Sequence, residues 1–516
     1  MSNDASNQLT TDVLVVGAGP IGLAVANLLA DQGVNTIVVE KRSSTSDDPR
    51  AISATDETLR VMEEIGVLEK LAPEMLMDTG ARYFGRNGQL LAEVKPAKPR
   101  LGQPGKNQFD QPVMESLLLE AAQNRSNVDV RFSTEAFRIT ESADNTVQTI
   151  LIDDDGKKTV TSRWVLACDG GRSPLRTQLG IQLDGSTQVE KWIVVDLINS
   201  IIAPQPFSEF HCNGTRPFVV VPGVKGRRRY EFMVLPGETT EEVTAPEFIA
   251  KLVAPLEATT ADDIRRAAVY VAHQKIAAQY RQGHVVLVGD AAHLMPPFAG
   301  QALNAGIRDA ANIAWKLAAN IKDGAPESLI DTYEQERRPH AADMVRLSHR
   351  IGQVVMSTDS RVTLLRDGAI KASGILPKAK KWITEMRFLK QPHYTEGCLV
   401  KPAAIIPAEL ADLVGRSLPQ PAVRVGNSGT TTPLDQLLGR GWAILTFDAN
   451  GTFRVRPLGG ESLEVTDEGG AFNVVPGGYA LIVRPDRYVA AAIVEDEVSR
   501  TLVQLSEFVP SLNQHA

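Results

Sequence analysis

The amino-acid sequence predicts an α/β protein. A Rossmann-like nucleotide-binding domain is interrupted by an inserted antiparallel sheet and followed by a smaller C-terminal domain. Three observations predict this. Apolar, strand-like runs end in Gly or Asp at three separated places, before Gly17, Asp169 and Gly289-Asp290. Between the second and third, short alternating runs are broken by Pro222-Gly223 and Pro236-Gly237, the pattern of an antiparallel sheet. A Pro-rich stretch from Lys401-Pro402 to Pro421 then sets off a last group of apolar strands. At 516 residues the chain is too long for one core, so two or three domains are expected.

The first element is the run Thr11 to Val16, which reads as a buried strand, followed at once by Gly17-Ala18-Gly19-Pro20-Ile21-Gly22. A second strand, Thr36 to Val39, ends in Glu40. This is the G-x-G-x-x-G fingerprint of a Rossmann-like fold in its full context of strand, turn, helix, strand and acid. Gly17 permits the turn, Gly19 lets a pyrophosphate approach the backbone, and Gly22 lets helix and strand pack closely. Glu40 stands where a carboxylate can hold the hydroxyls of an adenosine ribose.

The second element is the strand Trp164 to Ala167, ending in Cys168-Asp169-Gly170-Gly171 before a basic helix start at Arg172 and Arg176. The third is the strand His284 to Val288, which halts at Gly289-Asp290-Ala291-Ala292-His293. A loop, Pro296-Pro297-Phe298-Ala299-Gly300-Gln301, follows, then a helix from about Asn304 to Ala319. A strand that delivers a carboxylate to a loop and a helix start suits a polyol and a phosphate. Three such strand ends imply a long dinucleotide, with a second nucleotide docking transiently.

Composition narrows the function. Against 62 acidic residues stand 54 basic ones, for a net charge of −8, which argues against a nucleic-acid partner. Cys168, Cys212 and Cys398 are far apart and form no C-x-x-C, which fits a reducing compartment and neither a metal site nor a disulfide framework. Met1 to Thr10 lacks the apolar core of a signal peptide. No apolar run approaches the roughly 20 residues that span a bilayer. A cytoplasmic protein without stable membrane association is expected.

Taken together, GAGPIG, ACDGGRSPLR and GDAAHLMPPFAGQALNAGIRDAANIAWKL resemble the FAD-dependent aromatic hydroxylases, the single-component class similar to p-hydroxybenzoate hydroxylase. Within it the chain is most similar to the 3-(3-hydroxyphenyl)propionate hydroxylases. That closer likeness rests on Pro49-Arg50-Ala51-Ile52, Lys191 to Asp196, Tyr230 to Thr239 and Arg484 to Ala491, and it covers about residues 10 to 510. The resemblance implies non-covalent FAD, NADH or NADPH as co-substrate, O2, and a small phenolic substrate hydroxylated through a flavin C4a-hydroperoxide. Other chemistries on the same scaffold stay open: Baeyer–Villiger oxygenation, epoxidation, hydroxylation of polyketides or N-heterocycles, or a non-catalytic redox sensor. It implies a discontinuous FAD domain (8–185 and 276–345), a substrate-binding sheet (186–275), a helical connection (346–400) and a thioredoxin-like C-terminal domain (401–516), and it allows a homodimer. The last domain has no cysteine from residue 401 onward, so disulfide exchange is not expected of it.

The resemblance also carries residues. Gly17, Gly19, Pro20, Ile21, Gly22, Glu40 and Lys41 match the adenosine and pyrophosphate contacts, with Arg50 reaching the phosphates. Gln111 matches a glutamine on the flavin side chain, and Asp290 the carboxylate that holds the ribityl or pyrophosphate region. Asp169 fixes its own turn and shapes the nicotinamide approach. Pro297, Gly300, Gln301, Ala302, Leu303 and Asn304 line the isoalloxazine. Ala302 stands where the family often has glycine, and its Cβ is expected to restrict the backbone there. His293 is expected to hydrogen-bond structurally.

Substrate candidates come from the inserted sheet and the flavin loop: His211, Cys212, Arg216, Phe232, Pro297 and Phe298. Arg216 could pair with a carboxylate, and His211 could assist phenol deprotonation. Tyr230 and Phe232 alternate on one strand and so share a face, either pocket or core. No residue offers a covalent nucleophile or a metal ligand set, so His211, Arg216 and Tyr230 stand only as catalytic candidates.

Overall fold

In the computed structural model, residues 8–516 are described except 97, 98, 100, 374–376, 427, 428, 449–451 and 474. The first sheet has eight strands, and its central ones are parallel. Gln8–Val16 lies between Gly156–Ala167 and Thr36–Val39, with Val128–Arg131 beyond the latter and Val285–Leu287 beyond the former. Val13 to Val16, Val38 and Val165 to Ala167 are buried, as continuous apolar runs in a sheet covered on both faces must be. Helices Pro20–Asp31 and Ala302–Asp323 pack on it.

A second eight-stranded sheet roofs the edge where these parallel strands end. Its order is His293–Leu294, Ile264–Ala277, Leu183–Leu197, Arg228–Met233, Phe218–Pro222, Phe207–His211, Gly80–Phe84, Leu90–Val94. The inserted strands run antiparallel as expected. The last two, however, come from the first segment of the chain, and Gly80–Phe84 joins Phe207–His211 in parallel. The outer face buries Ile193, Val195, Val220, Tyr230 and Phe232 under helix Pro246–Val253. The inner face carries Trp192, Phe210, Val219, Val221 and Met233.

Helix Ala302–Asp323 is followed by Glu327–Val355, Ser360–Ser373 and Pro377–Thr384. The C-terminal unit is a seven-stranded sheet, antiparallel in every recorded register, closed by helix Val498–Leu505. One face packs on the rear of helix Ala302–Asp323, where Trp315 and Ala319 meet Trp442, Ile444 and Ile482. The seam is also ionic. Glu336 accepts from Arg484 at 2.8 Å and from Lys316 at 2.8 Å, all three side chains fully buried. Arg60 pairs with Asp435 at 2.6 Å nearby.

Candidate functional site

Parallel register brings the scattered motifs together. Val16 pairs with Val39 and with Ala167, and Ala167 with Leu287. Gly17, Glu40, Cys168 and Val288 therefore leave the sheet side by side at its C-terminal edge, where open α/β sheets bind ligands. A cavity of about 670 Å³ opens there, running from Glu40 and Lys41 past Gly17 to the loop 297–303, beneath the roof sheet.

The adenosine end is glycine-built. Gly17 has φ +108°, and a Cβ there would come against the Cys168 carbonyl. A Cβ on Gly22 would overlap the Gly17 carbonyl oxygen, so this glycine serves packing. Gly19 differs, since a Cβ there meets nothing within 4 Å. The protein's own packing does not require that glycine, and its open side faces the cavity, leaving room for a phosphate. Helix Pro20–Asp31 begins here with no side-chain cap, so its first N–H groups and positive dipole end remain available. Glu40 is oriented by Ala18 N–H at 3.0 Å and Arg42 N–H at 3.1 Å. Pro20, Ile21 and Lys41 also line the cavity.

In the middle, Asp290 and Arg50 both reach the cavity, close enough for the guanidinium charge to act on the carboxylate. Gln111 accepts from Ala51 N–H at 2.7 Å and donates to Glu115 at 2.6 Å, so it also steadies the Arg50 segment. Asp169 lines the cavity while Oδ2 accepts from Leu175 N–H at 3.2 Å; Oδ1 is buried without a partner, and burial raises its pKa. Arg176 is spent on the Ala291 and Gly171 carbonyls at 2.9 and 3.0 Å. His293 lies beneath the site, bonded to Asp309 at 2.8 Å, which Arg337 also holds at 2.8 Å. These side chains build the frame.

At the flavin end, Pro297, Gly300, Gln301, Ala302 and Leu303 line the cavity. Gly300 takes the left-handed conformation, φ +60°, while Ala302 is already the first residue of helix Ala302–Asp323. The expected restriction at Ala302 is therefore corrected: the position is helical, and a Cβ suits it. Asn304 is fully buried and does not face the cavity. It accepts from Thr55 N–H at 2.8 Å and Thr58 Oγ1 at 2.7 Å and donates to the Ser53 and Gly300 carbonyls at 3.1 and 2.6 Å. It staples the loop to segment 53–58. A second uncapped helix start and open glycine backbone to donate, with a carboxylate at mid-cavity to accept, are the groups that FAD requires, and the residues present fit it.

Below the loop, a smaller pocket of about 80 Å³ shares Ile52, Ser53, Glu231, Pro297 and Gly300 with the large cavity. Tyr83, Phe210, Val219 and Phe298 wall it, and Lys106 and Gln108 also line it. The Tyr83 and Phe210 rings stack at 4.9 Å, and Phe298 meets Trp192 edge-on at 5.6 Å. Glu231 stands at the junction of the two spaces. Burial raises its pKa, partly opposed by Arg229, and its carboxylate accepts from Tyr270 Oη at 3.0 Å.

Of the substrate candidates, Pro297 and Phe298 lie at this pocket; the others do not. Register shows why: Phe210 pairs with Val219 and Val219 with Glu231, whereas His211 pairs with Phe218 and Phe218 with Phe232. The second set faces outward. His211 is stacked between Phe84 and Phe218 at 4.6 and 4.2 Å, and Tyr230 donates to Glu257 at 2.7 Å. Arg216 pairs with Glu238 and donates to the Met233 carbonyl at 3.1 Å. Cys212 is buried, its carbonyl accepting from Arg366 at 2.8 Å. Sequence reasoning missed Glu231, Tyr270, Lys106 and Gln108. The signal for Glu231 was present: it and Arg229 alternate with Tyr230 and Phe232, and the polar set faces a cavity instead of solvent.

Comparison with known proteins agrees. The sequence profile of the family described as FAD binding domain matches residues 10–348. A 3-(3-hydroxy-phenyl)propionate/3-hydroxycinnamic acid hydroxylase of Mycolicibacterium smegmatis is 39% identical, over 85% of this chain and 77% of its own. The protein of that name from Klebsiella pneumoniae is 33% identical, over 97% and 95%. Among solved structures, flavin-dependent monooxygenase PieE, in complex with FAD and substrate, matches with TM-score 0.79 at 20% identity, covering 98% of this chain and 99% of that one. A ternary complex of aklavinone-11 hydroxylase matches with TM-score 0.77 at 23% identity, over 97% and 99%. At such identities these two speak for the fold alone.

Proposed function

The chain belongs to the FAD-binding-domain family, among the FAD-dependent aromatic hydroxylases, and from that premise we propose that it hydroxylates a phenol bearing a short acidic side chain, of the 3-(3-hydroxyphenyl)propionate type. The protein is an FAD monooxygenase: NAD(P)H, a proton, O2 and the phenol give NAD(P)+, water and the hydroxylated ring. The chemistry that FAD would supply at this site, once reduced, is the activation of oxygen. The remaining work falls to the chain. Gly17, Gly19 and the start of helix Pro20–Asp31 would hold the pyrophosphate, Glu40 the adenosine ribose, and Asp290 the ribityl or pyrophosphate region, with Arg50 beside it. N–H groups of the 300–303 turn would hold the pyrimidine edge of the ring system.

The carrying observation is the pocket that opens off the flavin end through Ile52, Ser53, Glu231 and Pro297. Its aromatic walls exclude water and hold a ring. Glu231 Oε accepts the phenol proton there, its raised pKa bringing it closer to the working range of a general base, and Tyr270 holds it in place. The acidic side chain is supported by the names of the relatives. The C-terminal unit is read as structural, of thioredoxin-like descent without thiols.

The test is a panel of phenolic acids and neutral phenols under labelled O2, read by product mass and NAD(P)H consumed. Product carrying labelled oxygen from 3-(3-hydroxyphenyl)propionate, formed faster than from 3-ethylphenol, is expected. Equal turnover of the two would reject the acidic-substrate part, and oxygen derived from water would reject the mechanism.

A further inference from the structure

The small pocket holds a cation with nothing to balance it. Lys106 precedes the short strand Asn107–Gln108 and lines the pocket among Tyr83, Phe210, Met386 and Phe388. Burial alone pushes its ammonium down to about 8, and among the described residues no carboxylate acts to restore it. Several buried cations of this protein are paired with carboxylates: Arg60 with Asp435, Arg229 with Asp196, Arg337 with Asp309 and Arg484 with Glu336. Lys106 is half-buried, so the pocket walls strip part of its hydration, and a carboxylate entering the pocket would give it the partner it lacks. Two positions on, and so on the same side of the strand, Gln108 is 2% exposed with Oε1 unpartnered. Its Nε2 meets the hydroxyls of Thr79 and Ser208 at 3.3 and 3.2 Å. The Thr79 hydroxyl donates to the Lys106 carbonyl, but that of Ser208 can donate as readily as accept, so this amide can turn, bond Ser208 through its oxygen and offer N–H to an anion. Lys106 is absent from the flavin cavity, whereas Glu231 borders both spaces.

We propose that Lys106 is the anchor for the substrate carboxylate and the residue that selects acidic phenols, an inference that rests on the acidic-phenol reading above. The ring lies with its hydroxyl toward Glu231 and its acidic tail toward Lys106 and Gln108. Arg216, which has its own counter-ion on the far side of the sheet, takes no part.

The experiment uses the FAD-loaded full chain. For wild type, Lys106→Met, Lys106→Gln, Lys106→Arg and Arg216→Ala, kcat/KM is measured with 3-(3-hydroxyphenyl)propionate and with 3-ethylphenol. Dissociation constants for both ligands are read from the change each makes in the flavin spectrum. The acid-to-neutral ratio should fall about 10- to 100-fold in Lys106→Met and Lys106→Gln, mostly through KM and Kd. Lys106→Arg should keep most of it, and Arg216→Ala should match wild type. Flavin content and melting temperature show whether each variant has folded, and the Gln and Arg variants carry the test if the Met variant does not. A wild type that prefers the acid, with the preference intact in Lys106→Gln, overturns the anchor and leaves the acidic-phenol reading standing. A wild type with no preference removes that reading and the anchor with it.

Discussion

The two ends of the cavity are made in different ways. At the cofactor end, Gly17, Glu40, Asp169 and Asp290 each sit within a few residues of a strand end, and parallel register lines those ends up. At the substrate end, the wall is the inner face of a roof sheet, with segments near residues 83, 210, 219 and 231, joined by a separate short strand near 106 and closed by loops near 298 and 388. The first kind of site is carried by backbone and glycine, the second by which side of a pleat each side chain takes. A one-residue step moves a side chain from the substrate to the opposite core.

Substitutions test that contrast in descending order of effect. Gly17→Val should abolish cofactor binding outright, because the position combines φ +108° with backbone contact to Cys168; the purified protein should be colourless at 450 nm. Yellow protein would mean that the turn does less than the register suggests. At the other end, Glu231→Gln should retain FAD yet lose on the order of 10²- to 10⁴-fold in kcat. The acid limb of its pH profile should also disappear. In wild type that limb belongs to a carboxyl whose pKa is raised, so activity should fall away at a higher pH than an ordinary glutamate would give.

Arg484→Met probes neither end. It strips Glu336 of one buried partner and should cost about 3–5 kcal/mol of stability, read as a lower melting temperature with the acid-to-neutral ratio unmoved. Burial would raise the Glu336 pKa, but Arg484 and Lys316 overcome it and hold it at about 2. That contribution is present above the ordinary carboxylate range and is lost as pH falls toward 2, so the wild-type advantage over Arg484→Met should shrink in acid. Smallest of all, His211→Ala should change kcat/KM by no more than about threefold, as expected of a side chain away from the site. A large loss there would break the assignment of faces.

How much was legible follows from the same contrast. The fingerprint at 17–22, Glu40, Asp290 and the 297–303 loop could be read because each is a local pattern whose geometry the backbone enforces. Asn304 was found but misjudged: it is near the flavin loop, yet its amide is consumed in stapling Ser53, Thr55 and Thr58. Ala302 was expected to strain a turn that Gly300 in fact makes. His211, Arg216, Tyr230 and Phe232 came from the right sheet and the wrong face, because aromatic residues alternating with Arg229 and Glu231 look like core against solvent. Nothing local marks Lys106, or the pairing of strand 80–84 with 207–211, since both depend on contacts more than a hundred residues apart in the chain.

Helix Ala302–Asp323 has 22 residues, about 33 Å of rigid rod. Its first turn lines the large cavity, while Asn312, Trp315 and Lys316 are embedded in the C-terminal interface. For protein engineering, the natural cut is therefore not the Pro-rich stretch at 401–421. A domain exchanged there would inherit one end of a rod whose other end sets the cofactor. A graft must bring Arg484, Asp486 and Trp442 with it, or be redesigned around the helix. Chimeras that ignore the rod should be recognisable by a shifted flavin spectrum before any loss of turnover is measured.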